Sequence, residues 1–188
     1  LPQMNCNDSA GAVVRQISGL MPSREDFRRM TAPIIRGTIL GSILGVLPGG
    51  TAYLDLPDNL VAGYTAVTFE TWVLNGGSGN WARVWDFGNA AGVNMFLTWP
   101  SGGSALRAVF NPGSGEQVVD AALPGNNAMQ HVVFTQDGAS RVARLYVNGT
   151  MVGQNTGFTL TPAAIGVTAN DWLGRSQYAA DPYFIGRI

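Results

Sequence analysis

From Val67 onward the chain is a succession of short runs rich in β-branched and aromatic residues, each closed by turn chemistry. Val67–Leu74 ends in Asn75-Gly76-Gly77, Arg83–Phe87 in Gly88-Asn89, and Val93–Trp99 in Pro100-Ser101-Gly102-Gly103. Leu106–Phe110, Gln117–Ala121 and His131–Thr135 end in Asn111-Pro112-Gly113, Leu123-Pro124-Gly125 and Asp137-Gly138. Such runs read as strands. Arg144–Val147 turns through Asn148-Gly149 into Met151-Val152, and Asn-Gly is the strongest short hairpin signal because both central residues must adopt positive φ. Thr161-Pro162 predicts the N-cap and first residue of one short helical turn, and Trp172-Leu173 and Tyr183–Ile185 complete the strand set. Strands at this spacing, with no strand–helix–strand rhythm between them, predict an all-β, two-sheet antiparallel sandwich.

The first fifty residues follow a different pattern. Ser23 with Asp26 three residues on resembles a helix start, with a helix over 24–30 that stops before Pro33. Gly37–Leu47 is uncharged and apolar but short of the roughly 20 residues a bilayer span needs. Gly37, Gly41 and Gly45 keep the small-residue spacing of packed membrane helices; a buried soluble helix or an apolar tail fits equally. The chain opens on Leu1-Pro2, without the basic and apolar regions of a signal peptide.

Composition narrows the chemistry. The 188 residues carry a net charge of −1 and 25 Gly, which suits turns more than long helices. Residues 1–50 hold five Arg against three acids, and residues 51–188 six Arg against nine. This balance argues against a nucleic-acid partner. There is no Lys, and the single Cys6 and single His131 exclude a disulfide framework and a multi-histidine metal centre.

Six fragments occur in order: Ala52–Pro57, Phe69–Val73, Val84–Gly88, His131–Thr135, Leu145–Gly149 and Trp172–Tyr178. Together they resemble the laminin-G-like, concanavalin A-like lectin/glucanase jelly-roll modules of bacterial secreted proteins, over residues 51–188. The resemblance implies a jelly-roll sandwich, a place outside the cell or at its surface, and a glycan or extracellular protein as partner. It further implies an opening strand where residues 40–50 lie and a closing strand past Ile188. With one replaced and the other missing, exposed edges and a marginal sandwich are expected. Residues 21–50, an N-terminal helical or disordered appendage, resemble a stretch of the permease subunit of tripartite tricarboxylate transporters. That pairing marks the chain as a chimeric fragment, with a membrane contact only if residues 34–50 insert.

Catalysis is not expected. Retaining glycosidases need two carboxylates about 5–5.5 Å apart, and the related glucanases use a Glu-x-Asp-x-x-Glu run. No such run is present, and Glu70 and Glu116 are the only glutamates after residue 50. His131 reads as a structural strand-end histidine. Sugar binding uses aromatic faces and a few orienting polar groups. Trp81, Trp99, Tyr178 and Tyr183 are the candidate rings, against core or rim packing for each, while Trp72, Trp85 and Trp172 read as buried between the sheets. Arg175, Gln177, Asn94 and Asn170 are candidate hydrogen-bond donors and acceptors. No cofactor is expected, and calcium is the candidate cation. It needs six to eight oxygens, for which Asp86, Asn89, Asp171 and Asp181 are available; alternatively one of Asp86, Asp171 and Asp181 pairs with Arg175. The function read from the sequence is a non-catalytic carbohydrate-binding or extracellular interaction module, against a ligand-free structural spacer or a fragment without native function.

Overall fold

The structure, a computed structural model, describes the backbone of Ala12–Val14 and residues 45–188. The helix expected over 24–30 and most of the apolar run Gly37–Leu47 lie outside these residues. Gly45–Leu47, the end of that run, is not helical: Val46–Pro48 is a strand. Among the described residues no helix is long and apolar enough to cross a membrane.

Two sheets face each other. The first runs, in spatial order, β11 (Thr150–Asn155), β10 (Val142–Val147), β9 (Met129–Asp137), β4 (Ala66–Asn75), β13 (Ile185–Arg187) and β2 (Val46–Pro48), with β1 (Ala12–Val14) parallel beside β4. The second runs β3 (Leu54–Leu56), β12 (Asn170–Leu173), β5 (Arg83–Ala90), β6 (Val93–Ser101), β7 (Ala105–Pro112) and β8 (Gln117–Ala122). The hairpin predicted at Asn148-Gly149 joins β10 to β11 with φ of 51° and 80° at its two central residues. The helical turn α1 spans Pro162–Ile165, as Thr161-Pro162 predicts, although the Thr161 side chain makes no capping bond.

The expectation that the opening strand is replaced in residues 40–50 is corrected for Val46–Pro48. β13 pairs antiparallel with both β2 and β4, and Gly45 and Ile188 exchange backbone hydrogen bonds of 2.7 and 3.0 Å. Residues 45–48 therefore belong to the sandwich.

Inward-facing side chains alternate along each strand and form one core. Val67, Phe69 and Val73 of β4 and Val132 and Phe134 of β9 meet Trp85, Phe87, Met95, Leu97, Leu106 and Phe110 of the opposite sheet. Its centre is aromatic: Phe69 packs on Trp85 at 4.3 Å, and Phe134 lies 5.7 Å from Phe110 and 6.2 Å from Trp85, centroid to centroid.

The alternation puts Trp72 on the wrong side for burial between the sheets. It is in phase with Glu70, opposite Phe69 and Val73, so it stands on the outer face of the seven-stranded sheet, 47% exposed. There it packs on its cross-strand partner His131, 4.8 Å between ring centroids. His131 Nε2 lies 2.9 Å from Glu70 Oε1, which gives the lone histidine a structural partner.

Candidate functional site

The outer face of the six-stranded sheet carries the densest polar chemistry among the described residues. The register aligns Trp172, Asp86, Phe96, Val109 and Val118 across β12, β5, β6, β7 and β8. Phe96, Val109 and Trp172 are buried, yet they lie outside the cluster between the sheets. Arg83 is buried here as well. Its guanidinium lies 3.9 Å above the Phe96 ring. Its Nε is 3.2 Å from Asp86 Oδ2, its Nη2 is 3.1 Å from Asp181 Oδ2, and its Nη1 donates to the Trp81 carbonyl at 2.7 Å. Burial pushes the Asp86 carboxyl up to about 6, against the opposing pull of Arg83 and of hydrogen bonds from Gln177 N–H and the Asn94 amide.

This network fixes two rings at the surface. Trp81 and Tyr178 each lie 5.9 Å from the Arg83 guanidinium carbon. Trp81 adopts φ +69°, a left-handed backbone conformation that is rare for a bulky residue. Two 2.7 Å bonds hold it there: its N–H donates to the Pro100 carbonyl, and its own carbonyl accepts from Arg83. The preceding loop is shaped by buried Asn75. Its Oδ1 accepts from Gly77 and Ser78 N–H, while its Nδ2 donates to the Trp99 carbonyl of the opposite sheet. Beside Trp81, Arg107 of β7 forms a two-pronged pair with Asp120 of β8, both bonds 2.7 Å, with the Arg107 guanidinium 6.0 Å from the indole.

The other candidates divide among three places. Trp99 is 1% exposed in the core, because it alternates in phase with Met95 and Leu97. Arg175 makes no ion pair with Asp86, Asp171 or Asp181; its guanidinium carbon lies 3.9 Å from the Trp172 ring centroid and 4.6 Å from that of Tyr53, and Tyr183 joins the same cluster through Tyr53. The expected ion pair is replaced because Arg83 already takes Asp86 and Asp181. Trp172 is thus buried beneath Arg175 on the outer face and not between the sheets. Asn170 and Gln177 bond to each other, and Asn94 is spent on Asp86.

The four expected calcium ligands do not form one set. Asp86 and Asp181 converge on a guanidinium, and Asn89 is exposed at the end of β5. Asp171 Oδ2 accepts from Leu60 N–H and Thr168 Oγ1 at 3.0 and 3.1 Å. Among the described residues, no group of three or more acidic, His or Cys side chains is placed to hold a metal ion.

Burial, with the negative charges of Asp58 and Asp55 adding to it, pushes Asp171 from 3.8 to about 6. A carboxyl whose folded value is raised favours the fold most when protonated. Its contribution is complete below about pH 4 and is lost as the pH rises through about 6. Asp171→Asn removes this titration. Between pH 4 and pH 7 the wild-type chain should therefore lose on the order of 2–3 kcal/mol more stability than the variant, read from urea midpoints. Parallel losses in the two proteins would refute the assignment.

A family model described as the concanavalin A-like lectin/glucanases superfamily matches residues 48–188. The chain belongs to this superfamily. Solved structures give the same fold. The CBM40 of the Ruminococcus gnavus IT-sialidase, solved bound to α2,3-sialyllactose, superposes with a TM-score of 0.63 at 14% identity, covering 78% of this chain and 87% of that one. A variant of the NanB sialidase of Streptococcus pneumoniae superposes with a TM-score of 0.60 at 13% identity, covering 77% of this chain and 25% of that one. A separate match, 70% identical over 37 residues, is to an uncharacterized 52.8 kDa protein of Agrobacterium vitis; the chain spans 7% of that relative's length.

Arg83, Phe96, Arg107 and Asp120 were not singled out from the sequence. The signal for Arg83 was a charge opening an otherwise apolar strand with Asp86 three residues on; a register shift between Arg83 and Trp85 brings the two to one face. The Arg107–Asp120 pair required the register of β7 against β8.

Proposed function

We propose that this superfamily member is a non-catalytic glycan-binding module of a secreted or cell-surface protein, and that it binds on the ledge formed by Trp81, Tyr178, Arg107 and Asp120. The observation that carries the reading is Trp81. A bulky residue kept at φ +69° by two short hydrogen bonds is the kind of strained backbone that persists where the surroundings over-determine it, and such strain clusters at binding sites. The ring is half-buried beside a donor–acceptor pair. An apolar face flanked by a few orienting polar groups suits a sugar ring. The R. gnavus relative binds sialyllactose, which supports a carbohydrate as the ligand class. A non-catalytic role is supported by the state of the carboxylates: Asp86 and Asp181 share Arg83, Asp120 is held by Arg107, and Glu70 lies on the opposite sheet against His131. The extracellular setting rests on the superfamily.

Trp81→Ala tests the site. Alanine meets the same positive φ with no greater backbone strain than tryptophan, so the fold should hold within about 1 kcal/mol while glycan affinity falls at least about tenfold, near 1.4 kcal/mol. Titration calorimetry against any oligosaccharide retained by the wild-type chain measures the loss. Undiminished binding by the variant would move the site elsewhere.

A further inference from the structure

We infer that the ledge takes a neutral sugar and discriminates against sugar carboxylates; this rests on the glycan-binding reading above and specifies its ligand. A site for an anionic sugar needs a guanidinium free to present its fork to a carboxylate. The two guanidiniums that flank Trp81 are already paired with carboxylates. Arg83 is buried between Asp86, Asp181 and the Trp81 carbonyl. Arg175 lies over Trp172 and Tyr53, not over Trp81 or Tyr178. Arg107, which borders Trp81, has its Nε and Nη2 closed on both oxygens of Asp120.

The charge balance points the same way. Asp86, Asp181 and Asp120 are joined on this face by exposed Asp55, the cross-strand neighbour of Trp172, so four carboxyls meet three guanidiniums. A carboxylate arriving at the N–H groups of Arg107 that Asp120 leaves open would lie beside the Asp120 carboxylate, with Glu116 adding further negative charge near the same guanidinium. Uncharged hydroxyls meet a different surface. Arg107 retains N–H groups that Asp120 does not use, and a carboxylate oxygen accepts more than one bond. The pair is partly open, 27% exposed at Arg107 and 45% at Asp120. It therefore offers a donor and an acceptor side by side, which is what two neighbouring hydroxyls of a pyranose require, while the Trp81 face receives the C–H side of the ring.

The test uses the 188-residue chain on immobilised oligosaccharide pairs that differ in a carboxylate: lactose with 3′-sialyllactose, and galactotriose with trigalacturonate. The neutral member of at least one pair should bind at least about tenfold tighter, and its affinity should stay level from about 50 to 500 mM NaCl, where exposed charge interactions are screened. In Asp120→Asn, with melting checked to confirm folding, the carboxylated member should gain about tenfold relative to the neutral one. Equal or tighter binding of the carboxylated sugars, or an unchanged ratio in Asp120→Asn, overturns the inference while leaving a glycan-binding module. Binding to none of the four overturns the glycan-binding reading itself, and the inference with it.

Discussion

Arg83→Met should destabilise the chain by about 3–5 kcal/mol at pH 7, the usual consequence of removing one partner from a buried ion pair. The magnitude follows from what is left behind. Asp86 is fully buried, and without the guanidinium it keeps only the Gln177 N–H and the Asn94 amide. Asp181 loses a bond, and the Trp81 carbonyl loses its donor. For a domain of this size the loss corresponds to a melting temperature lower by about 6–20 °C. Two controls separate the ion pair from simple packing. The deficit should shrink below about pH 5, where an Asp86 that titrates near 6 is protonated and no longer needs a cation. The double variant with Asp86→Asn should lose less than the two single losses added together, because the stranded charge is gone. A deficit that is the same at every pH and strictly additive would mean that Arg83 acts through packing alone.

Phe134→Ala should cost a similar amount, about 3–5 kcal/mol, by a different route. Phe134 is wholly buried on β9 and touches rings from both halves of the molecule: Trp85 and Phe110 across the sandwich, and Phe158 at 6.3 Å beyond β11. Its removal forfeits apolar transfer energy and leaves a cavity walled by rings on several strands, which can close only by shifting a sheet. Denaturant unfolding should show the midpoint falling with the slope preserved. Because the cavity has no titrating group, this loss should not vary with pH, in contrast to that of Arg83→Met. A loss under about 1 kcal/mol would mean that the core collapses around the site far more readily than aromatic packing allows.

The strand pattern was legible because turn chemistry and β-branched runs are local. Val67–Leu74 became Ala66–Asn75, and Gln117–Ala121 became Gln117–Ala122. Which face a side chain takes depends on its phase in the strand, which size and neighbouring turns obscure. Val67, Phe69 and Val73 already place Trp72 opposite them, yet its size suggested the core. Trp99 shows the converse, since its neighbouring turn suggested a rim ring while its phase with Met95 and Leu97 places it inside. The partners of charged groups were least legible. Arg175 had acids nearby in the chain, but Asp86 and Asp181 meet Arg83 instead, and Asp120 meets Arg107 across strands that only the folded register aligns. β2 was hidden because two of its three residues, Val46 and Leu47, end an apolar run whose glycine spacing suggests a helix.

The placement of the five indoles has an optical consequence. Trp85 and Trp99 sit in a dry interior and should emit toward the blue, as should Trp172 beneath Arg175. The red edge of the emission then comes chiefly from two residues on opposite sides of the sandwich, Trp81 on the ledge and Trp72 beside His131. A molecule settling on the ledge would alter the first and leave the second untouched, so the native spectrum carries both a sensor and its own internal reference.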